Sequence, residues 1–292
     1  KIAPHYEGPV VHVPDASRAV GVVSSLSSPL KRAAYAAEVA ADYASLREQR
    51  RRKPAPERAS LEAARANRPV LEPWSAPTPR RPGITRIDYD LTAIREIIDW
   101  TPFFHAWGLR GTYPRILEDR RFGTQARSLL SDADALLDEL LPAGRIRGAG
   151  VVGLFPAHRS THEDLCLETP QGAVVLHTLR QQHATNRKAN LALADFVAPA
   201  DDWIGLFATT TGHGVEELVQ EAKAQHDDYR AILVKAVADR LAEASAEWLH
   251  REVRMKIWGY APNEACTVED LVRERYQGIR PAPGYPAQPD HT

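Results

Sequence analysis

The amino-acid sequence predicts an α+β fold, an antiparallel or mixed twisted sheet flanked by helices, and three observations carry that prediction. Strand-like runs bounded by Gly, Pro, Asp or polar residues gather in the middle of the chain: GVVGLFPA from Gly150, GAVVLHTLR from Gly172, LALADFVA from Leu191 and WIGLFATTT from Trp203. Short loops separate most of them, whereas parallel strands need crossovers of a dozen or more residues. Helical periodicity stands before and after the strands, which is the α+β order.

From the N-terminus, Val10 to Val13 reads as a short buried strand, followed by a turn at Pro14 and Asp15 and a small-residue helix running toward Leu30. A lone strand and helix cannot bury a core, so residues 1–34 read as a remnant of a preceding domain or an element packed on the main body. Residues 35–49 read as a helical linker and residues 50–292 as the main domain. Its first part, within residues 48–83, is an extended proline-rich strap with little apolar periodicity. Leu91, Ile94, Ile97 and Ile98 then share one side of a helix that ends near Thr101, because Pro102 disfavours helical geometry in the residue before it. Asp99 falls in the last turn of that helix, where a carboxylate opposes the helix dipole; a functional cation nearby and a salt bridge to a neighbouring Arg are both open. After the strands one long helix is expected from about Val215 to Met255, with Leu233, Val237, Leu241, Ala244 and Trp248 recurring at three and four residues. Asp239 and Glu243, four apart, share its solvated side.

Composition narrows the function classes. The chain has 292 residues, 43% hydrophobic and 26% charged, with a formal net charge of −1, as expected for one large domain or two. That balance argues against a nucleic-acid partner, and the basic run from Arg47 to Lys53 reads as a solvated linker face. Cys166 and Cys266 stand in no metal-like or redox spacing, which fits a reducing compartment. No apolar stretch is long enough to span a membrane and no secretory layout opens the sequence, so a cytoplasmic location is expected.

Two motifs fail on context. GAGVVG, Gly148 to Gly153, matches the dinucleotide pattern in letters, but a strand lies under it where a helix N-terminus should begin. His158 and His162 in HRSTHED have the spacing of some zinc helices, but they sit in a polar connection with no third ligand, and no metal is expected. No catalytic triad emerges either.

The C-terminal stretch ERYQGIRPAPGYPAQP, Glu274 to Pro289, raises a different possibility. Pro281 and Pro283 fix φ and remove backbone donors, so the segment is expected to be extended with bare carbonyls, and Gly284 permits close approach of another group. Such a loop either grips a ligand or merely connects.

The stretches IDWTPFFHAWGLRGTYPRILED, RGAGVVGLFPAHR, LRQQ, LADFVAP, AQHDDYRAILVKAVADRLAEASAEWLHREVR, WGYAPNE and YQGIRPAPGYPAQPDHT resemble the activation domain of cobalamin-dependent methionine synthase, in order and spacing, from about Arg50 to Thr292. Upstream, KIAPHYEGPVVHVPDASRAVGVVSSL resembles the C-terminal edge of that enzyme's cobalamin-binding domain. The resemblance implies an S-adenosylmethionine site built on an Arg-x-x-x-Gly-Tyr motif, here Arg280, Gly284 and Tyr285, with Ala282 between them. A guanidinium suits the ligand's carboxylate. It also implies the acids Asp99, Glu243 and Glu274 as partners for the cationic ammonium and sulfonium, and Ala16, in Asp15 to Arg18, as a cobalamin neighbour.

The implied activity is that of a methyltransferase region that is not a complete enzyme by itself. It supports reductive methylation of inactive cob(II)alamin to methylcobalamin, with the cobalamin-binding domain and a flavodoxin-like electron donor as partners. Positioning of the S-methyl group would then be the protein's task, which needs no side-chain acid or base. The segment the family carries beyond PDHT is absent. Two alternatives are a stand-alone S-adenosylmethionine-binding module without redox chemistry, and an interaction domain whose loop grips a partner peptide.

Overall fold

A computed structural model describes residues 2, 5–13, 16–52, 57–71, 75–160, 163–184 and 188–289. They form two compact units, Lys1–Ala59 and Ser60–Thr292.

The first unit is a pair of helices, α1 (Ala16–Ser27) and α2 (Arg32–Arg52), with Pro29 in the break between them. The strand expected at Val10–Val13 does not form. A ladder needs a second strand, and among the described residues this unit has none; the His12 N–H donates instead to the Tyr43 hydroxyl at 2.7 Å. Helix α2 runs on into the basic run, whose Arg47, Arg50 and Arg51 are exposed. The turn at Pro14 and Asp15 lies outside the described residues.

In the second unit the strap is interrupted by α3 (Leu61–Ala66), which alanine-rich composition favours and Ser60 caps by accepting from the Ala63 N–H at 3.1 Å. Five antiparallel strands follow: β1 (Gly83–Asp88), β2 (Arg147–Arg159), β3 (Asp164–Thr169), β4 (Gly172–His177) and β5 (Asp202–His213). The long β2 organises them. Strand β5 pairs along one edge, with Val152 opposite Phe207. Strands β1 and β3 share the other edge, Val152 facing Thr85 and His158 facing Cys166. The GAGVVG pattern thus lies wholly inside a strand, and His158 belongs to β2 rather than to the connection; His162 lies outside the described residues.

The run at Leu191 is not a strand. Residues Leu193–Phe196 form a 3-10 turn, held because the buried Asp195 carboxylate accepts from the Ala192 N–H and pairs with Arg180. Strands β1 and β3, which the sequence reading did not single out, complete the sheet.

Helices α4 (Leu91–Arg95), α5 (Thr101–Ala106), α6 (Gly123–Leu140), α7 (Val215–Ala224) and α8 (Asp228–Glu252) build the main core. The single long helix expected from Val215 is therefore two. His226 adopts a left-handed φ of 58°, and Asp227 starts α8 by accepting from the Arg230 N–H at 2.8 Å. The periodic stripe holds within α8, where Leu233, Val237, Leu241 and Ala244 are buried.

Past α8 the backbone widens into a π-turn, Val253–Ile257. Leu249, Val253, Ile257 and Trp258 pack there on Val152 and Leu154 of the sheet. The strap crosses this corner: the N–H groups of Arg80 and Arg81 donate to the carbonyls of Trp258 and Ile257, and the Trp258 indole donates to the Pro77 carbonyl at 2.8 Å. The end of α8 is thus anchored from both sides. Among the described residues no helix is long and apolar enough to cross a membrane.

Candidate functional site

The loop carrying Arg280 is held against this anchored corner by a buried arginine. Arg254 leaves the π-turn fully buried and forms a two-pronged pair with Glu264, Nε to Oε2 at 2.7 Å and Nη2 to Oε1 at 2.6 Å. Burial works against its charge and Glu264 more than offsets that, so Arg254 stays ionised. Its Nη1 donates to His250 Nδ1 at 2.7 Å, one helical turn back. Burial, reinforced by the charges of Arg254 and Arg280, holds His250 down to about 3, so the ring is neutral and Nδ1 is free to accept.

The same guanidinium lies 3.9 Å from the centre of the Tyr276 ring, which also meets His250 edge-on. Arg254 thereby fixes Tyr276 at the base of the loop. The Tyr260 hydroxyl, pushed up to about 12 by burial, donates to the Gln277 carbonyl and lies so close to Gly278 that a Cβ there would meet it at 2.5 Å. Gly278 has φ +95°, so this turn requires glycine on both counts.

From that base the chain reaches Arg280, whose Nη2 donates to Glu247 Oε2 on α8 at 2.7 Å. Burial pushes the Tyr276 hydroxyl above its ordinary value, and the neighbouring Arg280 pulls against that rise. Arg280 Nε and Glu247 Oε1 are both buried and have no partner among the described residues. Burial pushes the Glu247 carboxyl above the usual carboxylate range, against the pull of Arg280 and Arg254.

The expected ligand residues are placed unequally. Arg280 sits at the corner, and Glu274 lies near enough to act electrostatically on Glu247. Glu274 is exposed and holds a left-handed φ of 52° where α9 (Val268–Val272) ends, a conformation that usually falls to glycine. Glu243 is exposed on α8 one turn before Glu247.

The loop is not extended, as its prolines suggested. The Tyr285 N–H donates to the Ala282 carbonyl, Gln288 N–H to Tyr285 and Gly284 N–H to the Gln288 carbonyl, so two tight turns use carbonyls expected to be bare. Gly284 makes this possible with φ +87°. Ala282 and Gly284 are exposed, and Tyr285 is 64% exposed.

Asp99 is placed differently from the sequence expectation. Helix α4 ends at Arg95, and Asp99 stands just before α5, where it accepts from the Thr101 N–H at 2.9 Å. Pro102 opens this second helix instead of ending the first. Asp99 therefore favours the start of a helix, and among the described residues it makes no salt bridge. Ala16 opens α1 in the other unit, and its side chain lies outside what is described.

Sequence reading missed Glu247, His250, Arg254, Glu264, Tyr260 and Tyr276. Two signals were available: Glu247 extends the four-residue spacing of Asp239 and Glu243, and His250 and Arg254 repeat it on the adjoining stripe. Among the described residues no group of three or more His, Cys, Asp or Glu could hold a metal ion. An open cleft of about 530 Å³, lined by Asp88, Tyr89, Thr92, Arg147 and His213 among others, contains none of the expected ligand residues.

The sequence profile of the family described as vitamin B12 dependent methionine synthase, activation domain, matches residues 90–292. Among solved structures, the MetH reactivation domain bound to AdoHcy is 47% identical and superposes with a TM-score of 0.76, over 81% of this chain and 75% of that one. A profile that takes in four of the five strands and the Arg280 loop, with a fold shared at that identity, leaves one conclusion: the chain belongs to the family of the activation domain of vitamin B12-dependent methionine synthase.

Proposed function

We propose that the Ser60–Thr292 unit binds S-adenosylmethionine through the Arg280 loop and presents its methyl group for reactivation of cobalamin within a methionine synthase. The observation that carries this reading is Arg280 itself. It is a guanidinium held at a rigid corner, at the position of the Arg-x-x-x-Gly-Tyr motif, with a buried N–H still lacking an acceptor. A ligand carboxylate is the acceptor such a group favours most. The exposed Ala282 to Tyr285 turn would border the nucleoside, with Glu243, Glu274 and Asp99 supplying negative charge toward the sulfonium. That the relative in the solved structure carries AdoHcy, the demethylated product, supports the choice of ligand.

Cobalamin would supply the reduced cobalt that accepts the methyl group. Ala16 and its neighbours are where the chain would meet it, in a unit proposed to be the C-terminal edge of a cobalamin-binding domain. The residues described here orient the methyl donor, and a flavodoxin-like protein is the proposed electron source. Titration calorimetry of the chain with S-adenosylmethionine and with S-adenosylhomocysteine tests the reading. Saturable one-to-one binding of both is expected; absence of heat and of any thermal stabilisation by either ligand would remove it.

A further inference from the structure

We infer that Glu247 is the residue that recognises the α-ammonium group of the ligand, making Arg280 and Glu247 together a reader of the amino-acid zwitterion. The inference rests on the proposed S-adenosyl ligand and adds a residue to its site. The two side chains could form a two-pronged pair, yet they meet through one contact, Nη2 to Oε2 at 2.7 Å. One donor, Arg280 Nε, and one acceptor, Glu247 Oε1, are left buried beside it without partners. Buried polar groups in this state are unfavourable and uncommon, and the two have opposite hydrogen-bonding character. An α-amino acid head group offers the matching set: a carboxylate that accepts and an ammonium that donates.

Each side chain keeps an edge toward solvent, 27% for Arg280 and 15% for Glu247, so the pair is approached from its open side. Glu247 projects from α8, pinned on the sheet by Leu249 and Val253, while Arg280 comes from the turn that Arg254 and Tyr276 hold. Acceptor and donor are thus held on two separate elements, a helix packed on the sheet and a clamped turn. The burial that raises Glu247 toward its neutral form agrees with a site completed by an added cation.

The test compares three ligands on the intact chain. S-adenosylhomocysteine carries both charged groups, its des-amino analogue carries the carboxylate alone, and 5′-methylthioadenosine carries neither. Glu247→Gln keeps the shape and removes the charge. The expected result is about a tenfold loss for S-adenosylhomocysteine, with the other two ligands bound as by the parent. Equal loss for all three would assign Glu247 to loop structure. Loss for both carboxylate ligands would make it only a support for Arg280, and unchanged or tighter binding of S-adenosylhomocysteine would make it a competitor of the ligand; each overturns the inference. Should Glu247→Gln fold poorly, Glu247→Asp keeps the charge on a shorter arm and should weaken S-adenosylhomocysteine alone. If the parent binds none of the three, the ligand assignment itself has failed, and this inference with it.

Discussion

Two buried arginines organise two regions of the second unit, and they end differently. Arg180 is 3% exposed and fully engaged: Nε donates to Glu163, Nη1 to the Asn190 carbonyl and to Asp195 Oδ2, and Nη2 to Asp195 Oδ1. Arg65 of α3 closes the cluster on Glu163, and Asn67 donates to Asn190 Oδ1, so the strap is fastened to the far end of the sheet. Arg254 is as deeply buried and pairs with a single carboxylate, Glu264, but the chain of contacts that leaves it through Tyr276 ends at Arg280 and Glu247, where a donor and an acceptor remain open. A closed network specifies a fold; a network with complementary open ends specifies a fold and a ligand. The desolvation physics is the same in both places.

The largest expected effect breaks the closed side of this comparison. Arg180→Ala strands the Asp195 carboxylate and leaves Glu163 with Arg65 as its one remaining guanidinium partner among the described residues, and urea unfolding should show a loss of about 3–5 kcal/mol. A loss under about 1 kcal/mol would mean that water replaces the guanidinium and the network is not closed.

Next comes the open side. Arg280→Ala should weaken S-adenosylmethionine binding by about 1.5–3 kcal/mol, the range for a charge-assisted contact, while the urea midpoint changes little. Calorimetry and unfolding on the same preparation read both. An affinity equal to the parent's would detach the motif from the ligand.

Acidification should separate the two clusters in order. His250 is held down to about 3 from an ordinary 6.5, so the unfolded chain takes up a proton there before the folded one does. Its stabilising contribution is complete above pH 6.5 and declines as pH falls toward 3, at a limiting slope of about 1.4 kcal/mol per pH unit. Glu163 is lowered to about 2 by its bonds to Arg65 and Arg180, so its contribution is complete above pH 4.5 and is lost between there and about 2. Glu247, raised by burial, has the opposite sign, adding stability as pH falls below its folded value. Unfolding midpoints for the parent and for His250→Asn between pH 7 and 5 check the first step; the variant should show the shallower slope.

The smallest effect is expected from the prolines. Pro281→Ala with Pro283→Ala frees two φ angles, each worth under about 1 kcal/mol of ordering. Because the turns at Ala282 and Tyr285 are hydrogen-bonded internally, affinity for S-adenosylmethionine should fall by less than in Arg280→Ala. A larger fall would show that the prolines, more than these bonds, hold the loop.

How far the sequence could be read depended on how local each cause was. Strands β2, β4 and β5 were legible because apolar runs with turn residues at their ends mark strands whatever they pair with. Strand β1, GITRID, was not, since half its positions face outward and its partner lies far along the chain. The stripe on α8 was legible, but the break at His226 was not, because a left-handed residue followed by an Asp cap interrupts the apolar pattern for only a few positions.

Asp99 shows how a correct local rule can be applied to the wrong helix: Pro102 does disfavour a helical predecessor, yet it also suits the first turn of a new helix, and packing of Phe103 and Phe104 into the core favoured the second. By itself the sequence determined the α+β class and the placing of Arg280 just before a proline-rich, glycine-bearing turn, because these follow from periodicity and from backbone chemistry within a few residues. Only the tertiary structure decided that Arg254 would clamp Tyr276 and that Glu247 would meet Arg280 thirty-three residues away. Burial and charge pairing are set by what the folded chain brings alongside a residue, and one-dimensional order does not carry that information.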